Sequence, residues 1–131
     1  MDTPKNSHSP FDQQVTFLSV SDLDASTHFY ESILQLPLVL DQGPCRIFAV
    51  SRSAFIGVCT CTGPVQIDGM IITLVHSDLE YWHDRLMTCG VTITRKPTFN
   101  PRFNITHLFA EDPDGYVVEI QTFHDPTWPK P

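Results

Sequence analysis

A single carboxylate interrupts an apolar run near the end of the chain. Glu119 lies in Val117-Val118-Glu119-Ile120, a composition that favours a β-strand. A carboxylate between apolar neighbours loses hydration unless a cation or hydrogen-bond donors compensate. Such an acid can exchange protons with a bound molecule or anchor it. Glu119 is therefore the first candidate functional residue.

Histidine and cysteine supply the other side chains with useful chemistry. None of the six histidines shows the close spacing of a metal motif. His107 lies on the predicted strand before that of Glu119, and it fits either a packed, hydrogen-bonded residue or a cavity residue. Cys59 and Cys61 would share one face of a strand, but no second pair completes a tetrahedral site. We therefore expect a buried strand there.

One loop is rich in binding chemistry. Residues 97–105 contain Asn, Arg and Phe and precede the strand of His107. Loops held by a rigid sheet often carry binding groups. Arg102 could meet an acidic ligand group or pair with Glu119, and it fits an exposed loop arginine equally well.

Composition excludes several classes of protein. The chain has 131 residues, 41% of them hydrophobic, which suits one domain with a real core. Its net charge of -7 makes it a poor partner for nucleic acid. Its apolar stretches fall far short of the roughly 20 residues that span a bilayer. Residues 1–10 contain no apolar run, so we expect a cytoplasmic protein without a disulfide framework.

An internal duplication organises the sequence. Ser21-Asp22-Leu23-Asp24 recurs 56 positions later as Ser77-Asp78-Leu79-Glu80. Each copy follows an apolar, β-branched run, and its Ser-x-x-acid pattern predicts a capping box with the serine as the N-cap. A helix follows each copy, with apolar residues at helical spacing.

Short strand-like runs follow each predicted helix. They cover residues 37–40, 45–50 and 54–59 in the first half, and residues 91–94, 105–110 and 116–122 in the second. The order β-α-β-β-β occurs twice, so we predict an α+β fold. We expect one domain at residues 13–123, with modules at 13–62 and 69–123, a flexible tail at 1–12 and a Pro-rich tail at 124–131.

The pattern resembles the vicinal oxygen chelate superfamily of glyoxalases, bleomycin-resistance proteins and extradiol dioxygenases. The residues that carry the resemblance are Val20-Ser21-Asp22-Leu23, Phe29-Tyr30 and Leu34, and the run from Asp112-Pro113-Asp114-Gly115 to Gln121. The resemblance implies two βαβββ modules in tandem, with curled mixed sheets around a central cavity that binds substrate and often a divalent metal. It also implies a homodimer, either swapped or side by side.

The metal-ligand positions of the family are mostly apolar here. The four positions fall on Val15, Gly57, Ile71 (or Met70 if the register slips by one) and Glu119. Only Glu119 carries a ligand atom, and one carboxylate does not hold a metal ion. We therefore expect no metal and no cofactor.

Alternation along the strands predicts which residues share the cavity face with Glu119. Substrate-binding candidates are Phe17, Phe55, Thr73, Arg102, His107 and Gln121. The opposite faces should pack on the helices; they carry Leu18, Val20, Ile56, Val58, Ile72, Leu74, Val118 and Ile120. The alternative is that the cavity is simply filled core.

Three functions fit these expectations. The first is a metal-independent protein that binds an apolar or aromatic small molecule. The second is a metal-independent lyase or isomerase that uses Glu119 as general acid or base. The third, disfavoured by the missing ligands, is a metal-dependent glyoxalase or dioxygenase.

Overall fold

The first module contains one helical segment and four strands. The computed structural model describes residues 9–60 and 63–131, so most of the predicted N-terminal tail and Cys61 lie outside it. A helical segment follows the first strand and begins as an α-helix, α1, before widening into π-helical turns at His28–Ile33. The elements are β1 (Gln14–Ser19), α1 (Leu23–Thr27), β2 (Leu38–Asp41), β3 (Cys45–Ala49) and β4 (Ala54–Cys59).

The second module repeats this order with a longer helix. Its elements are β5 (Ile71–Val75), α2 (Leu79–Thr88), β6 (Ile93–Asn100), β7 (Ile105–Glu111) and β8 (Val117–Phe123). Each module forms a four-stranded mixed sheet, in the orders β1-β4-β3-β2 and β5-β8-β7-β6. The predicted α+β fold of two tandem βαβββ modules is confirmed. Among the described residues, no helix is long and apolar enough to cross a bilayer.

The helix starts differ from the predicted capping boxes by one residue. Asp22 and Asp78 are the N-caps, and their carboxylates accept from the backbone N–H groups of Ala25 (3.1 Å) and Tyr81 (3.0 Å). The prediction of serine caps was wrong, because aspartate caps a helix equally well. Ser21 instead donates from its backbone N–H and its hydroxyl to Asp114 in the second module.

The core joins both modules. The strand residues predicted to pack on the helices are buried, except Leu74, which is partly buried against them, and they share one apolar cluster with Phe29, Tyr30, Ile33 and Leu86. Leu18, Val58, Leu108 and Val118 are at most 1% exposed. The opposite faces of both sheets therefore point away from this core.

A buried hydrogen bond ties the π-helical segment of the first module to the second module. The Tyr30 hydroxyl donates to Asp112 Oδ2 at 2.8 Å. The other oxygen, Oδ1, accepts from the backbone N–H groups of Tyr116 (2.8 Å) and Asp114 (3.0 Å). Burial raises the pKa of Asp112 above its ordinary value, although these donors favour the charged form. Burial, and then the charge of Asp112, raise the pKa of Tyr30, so the phenol remains a donor.

Two further contacts hold the modules together. Arg85 of α2 donates from Nε to the Ile33 carbonyl (2.9 Å) and from Nη2 to the Ser32 carbonyl (2.7 Å). These carbonyls end the helical segment, where a cation is favoured. The Tyr116 hydroxyl donates to the Ser19 carbonyl at 2.8 Å.

A disulfide bond links Cys45 and Cys59, which are direct partners in the β3–β4 register, with a Cα–Cα distance of 4.2 Å. The prediction that a disulfide was improbable was wrong for this pair. That prediction came from the composition of residues 1–10, whereas the pairing of the two cysteines depends on the register of β3 with β4. Cys89 is an exposed free thiol.

Replacing Tyr30 by Phe should lower the free energy of unfolding by about 1–3 kcal/mol, because a buried carboxylate loses a donor. Urea denaturation measures the change. Tyr81→Phe is the matched control, since Tyr81 is exposed and accepts only a surface hydrogen bond from Gln35. That control should stay within about 0.5 kcal/mol of the wild type. Equal effects of the two substitutions would contradict the structural role of Tyr30.

Candidate functional site

We call the face of each sheet that points away from the apolar core its inner face. The candidate site lies on the inner face of the second sheet. Thr73 on β5 is the register partner of Glu119 on β8. His107 on β7 is the partner of Gln121, two residues further along β8. Side chains two residues apart share a face, so all four belong to the inner face. The structure therefore places Thr73, His107, Glu119 and Gln121 on one face of the second sheet.

Glu119 is the centre of a three-residue hydrogen-bonded group. Its Oε1 accepts from the Thr73 hydroxyl at 2.7 Å, and its Oε2 lies 2.6 Å from His107 Nδ1. Glu119 is only 9% exposed. Each carboxylate oxygen thus has a protein partner, which replaces the water lost by burial.

The His107 ring contacts Glu119 through Nδ1 and also contacts Phe109, whereas its other nitrogen, Nε2, has no such contact among the described residues. Its ring lies 4.9 Å from the ring of Phe109, at an interplanar angle of 60°. Because Nδ1 faces a carboxylate, the neutral ring is expected to carry its proton there, which leaves a lone pair on Nε2. Within residues 9–60 and 63–131, Nε2 has no hydrogen-bond partner, and it is not among the fully buried unpartnered polar atoms.

Arg102 does not join this group. It lies exposed in the turn between β6 and β7, where its backbone N–H donates to Asn100 Oδ1 (3.0 Å). Its guanidinium stands 5.2 Å from the ring centre of Phe103. The alternative that Arg102 pairs with Glu119 was wrong within the chain, because Thr73 and His107 occupy both carboxylate oxygens.

Phe17 and Phe55 lie on the other sheet. Phe17 is 52% exposed, and its ring covers Gly57, its register partner on β4. A Cβ added at Gly57 would lie 2.5 Å from that ring. Phe55 is half-buried on the same face. Across the described part of the chain, no hydrogen bond or ring contact connects either residue to Glu119 or His107.

The inner faces are open within one chain. Val15, Phe17, Ile71 and Val75 are 39%, 52%, 57% and 52% exposed. Among the described residues, the two curled sheets are therefore unclosed within one chain. The physical reason is that both sheets use their other face to build the shared core.

A cleft of about 500 Å³ lies elsewhere, between the π-helical segment and the turns that flank β6 and β8. It is lined by Phe29, Ile33, Cys89 to Thr92 and Glu111 to Gly115. It contains none of the predicted substrate-binding residues. Its walls also include Asp112 and Asp114, which already bond to Tyr30 and Ser21.

The residues present do not fit a divalent metal ion. Of the four family positions, Val15, Gly57 and Ile71 offer no ligand atom, and the ring of Phe17 fills the space beside Gly57. Both oxygens of Glu119 are already bonded. In the described ranges, no group of three or more His, Cys, Asp or Glu side chains could hold an ion. We therefore derive no chemistry through a metal.

Sequence reasoning missed two contributors to the inner face. Phe109 lies against His107, and Phe123 on β8 stacks on Trp128 with ring centres 3.7 Å apart and planes at 14°. Phe123 continues the alternating row of Glu119 and Gln121, so the strand period could have identified it. No local pattern indicated that Trp128, beyond the last strand, would fold back onto it.

Comparison with known proteins agrees with the resemblance. The family model of the Glyoxalase/Bleomycin resistance protein/Dioxygenase superfamily matches residues 13–120. The comparison with curated protein sequences found no match.

Solved structures show the same fold at low sequence identity. A glyoxalase/bleomycin resistance protein/dioxygenase from Alicyclobacillus acidocaldarius has a TM-score of 0.70 at 14% identity, covering 89% of this chain and 95% of that one. TioX from Micromonospora sp. ML1 has a TM-score of 0.71 at 15% sequence identity, and the match covers 84% of this chain and 97% of TioX. An integron cassette protein from the mobile metagenome of V. cholerae has a TM-score of 0.71 at 21% sequence identity, and the match covers 93% of this chain and 99% of that one.

The protein purified without chelators should contain far less than one equivalent of transition metal, because a single bonded carboxylate cannot complete a coordination shell. Elemental analysis by plasma mass spectrometry measures the content. About one Zn, Ni, Fe or Mn per chain, lost on Glu119→Gln, would contradict this prediction.

Proposed function

We propose that this chain, which belongs to the Glyoxalase/Bleomycin resistance protein/Dioxygenase superfamily, binds an apolar or aromatic small molecule on its inner face without a metal ion. The observation that carries the proposal is the hydrogen-bonded group of Thr73, Glu119 and His107 on an open face, beside the exposed apolar side chains of Ile71 and Val75. Small-molecule sites commonly combine apolar walls with a few placed polar groups.

The surroundings of Glu119 support a site rather than filled core. Ile71 and Val75 flank Thr73 on β5 and are more than half exposed. A surface of this kind seldom stays uncovered in a monomer, since exposed apolar patches mark places of contact. A ligand alone would leave much of it in water.

We propose that a second copy of the chain covers this face. Its first sheet offers a complementary apolar surface with Val15 and Phe17 exposed. A two-fold axis would place the first sheet of each copy over the second sheet of the other and create two equal pockets. In that arrangement Phe17 and Phe55, which are remote from Glu119 within one chain, become walls of the same pocket.

The cytoplasm remains our proposed location. There the Cys45–Cys59 bridge would meet reducing thiols, which keep most cytosolic cysteines free. Because neither cysteine bonds to the Glu119 group, ligand binding is proposed not to require the bridge.

A second function, a metal-independent lyase or isomerase, is favoured by one observation. His107 Nδ1 lies 2.6 Å from Glu119 Oε2, the geometry of a base held by a carboxylate. Such a pair could remove a proton from one atom of a substrate and return it to another. Product formation with a bound ligand separates this enzyme from a binding protein.

Glu119→Gln should weaken binding at least about tenfold, because a charged hydrogen-bonding partner of His107 becomes neutral. Ligands come from a thermal-shift screen of apolar and aromatic compounds, since a ligand raises the melting temperature by mass action. Calorimetry then measures the affinity of the best compound.

Glu80→Gln is the matched control for that substitution. Glu80 lies in the first turn of α2, off the inner face, and is exposed. We expect the affinity of this variant to equal that of the wild type. Unchanged binding in Glu119→Gln, or a loss in Glu80→Gln instead, would place the ligand outside the inner face and overturn the proposal.

Sedimentation at micromolar concentration should show a dimer, and Phe17→Asp should shift it toward monomer by placing a charge in the covered surface. Phe103→Asp is the control, because Phe103 is 61% exposed in the β6–β7 turn and away from the inner face. A monomeric wild type, or equal dissociation of both variants, would refute the proposed assembly.

A further inference from the structure

The structure separates the residue that holds the site from the residue that can meet a ligand. Glu119 is 9% exposed, and each of its oxygens already has a partner in Thr73 or His107. These two contacts use about half of the roughly four acceptor sites of a carboxylate, and burial limits access to the rest. Its contacts instead fix the plane and the proton position of the imidazole ring.

The His107 side chain is 12% exposed, close to the 11% of Glu119, but its Nε2 is not among the fully buried unpartnered atoms. With the Nδ1 proton directed at Glu119, Nε2 of the neutral ring is an acceptor, and no protein group among the described residues satisfies it. An acceptor without a protein partner favours a ligand that brings a donor. A hydroxyl group meets this need without adding charge.

Aromatic rings lie on both sides of His107 along the inner face. Phe109 lies two residues after His107 on β7 and contacts its imidazole ring, with ring centres 4.9 Å apart. In the other direction, His107 pairs with Gln121, and the next inner-face pair is Ile105 and Phe123. Phe123 stacks on Trp128, which enlarges the aromatic surface at that end. A row of rings of this kind suits a planar aromatic molecule.

The turn that carries Trp128 is structured. The Asp125 carboxylate accepts from the backbone N–H (2.8 Å) and the hydroxyl (2.7 Å) of Thr127. The backbone N–H of Trp128 donates to the backbone carbonyl of Asp125 (3.1 Å). These bonds favour the charged carboxylate and lower the pKa of Asp125. The ring of Trp128 is therefore held at the end of the inner face.

We infer that the ligand is an aromatic compound bearing a hydroxyl group, and that His107 Nε2 accepts the hydrogen bond from that hydroxyl. Glu119 and Thr73 are positioning residues that act through His107. The inference rests on the proposed function and narrows it from apolar molecules in general to hydroxylated aromatics.

The binding test compares two probes that differ in one donor. At neutral pH, 2-naphthol should bind at least about fivefold more tightly than 2-methoxynaphthalene, which has the same rings but no hydroxyl proton. His107→Phe should lower the affinity for 2-naphthol to that for the ether, and leave the ether unchanged. Trp128→Ala should weaken both probes alike.

A second measurement follows the ring of His107 itself. Nitrogen NMR of the imidazole should show the proton on Nδ1 in the free protein and a shift of the Nε2 signal when 2-naphthol is added. Glu119→Gln should reduce the preference for the Nδ1 tautomer, a change that a purely structural role would not produce.

The outcomes distinguish this inference from the proposed function. Equal affinity for the two probes, or a proton on Nε2 in the free protein, overturns the role of His107 while aromatic binding stands. Failure of both probes to bind overturns the inferred ligand class, whereas an unrelated apolar ligand from the screen would still uphold the proposed function.

Discussion

The hydrogen bond between Tyr30 and Asp112 is the constraint from which the rest of the arrangement follows. It joins the helical segment of one module to the Asp112-Pro113-Asp114-Gly115 turn of the other, inside a shared apolar core. Because one face of each sheet is buried in that core, the opposite face of each sheet points outward. A site on either sheet is then open unless something outside the chain covers it.

The two modules have diverged in the chemistry of these outward faces. In the first module Gly57 is covered by the ring of Phe17, so this face offers shape and apolar area. In the second, the Glu119 carboxylate has His107 and Thr73 as hydrogen-bonding partners. A duplicated fold thereby presents one apolar wall and one polar anchor, which together have the composition of a small-molecule pocket.

The fold could be predicted from the sequence because its signals are local and repeated. The duplicated Ser-Asp-Leu-acid element located both helices, and strand alternation identified Leu18, Val58 and Val118 as core. The sequence analysis placed His107 on the strand before that of Glu119 and left open whether it is a packed, hydrogen-bonded residue or a cavity residue. The absence of a disulfide bond at Cys45 and Cys59 and the serine caps were predicted wrongly, because the pairing of these residues depends on partners distant in sequence. Ser21, for example, is engaged by Asp114, and Cys45 by Cys59.

The most direct test of the account is a mixing experiment with two variants, Phe17→Ala in the first sheet and Glu119→Gln in the second. If each pocket combines the first sheet of one copy with the second sheet of another, a mixed dimer holds one pocket with neither substitution. Each variant alone should bind the ligand from the screen poorly. Co-refolding equal amounts should restore about one quarter of the wild-type number of sites, at wild-type affinity. Binding no better than the sum of the two separate variants would contradict the account.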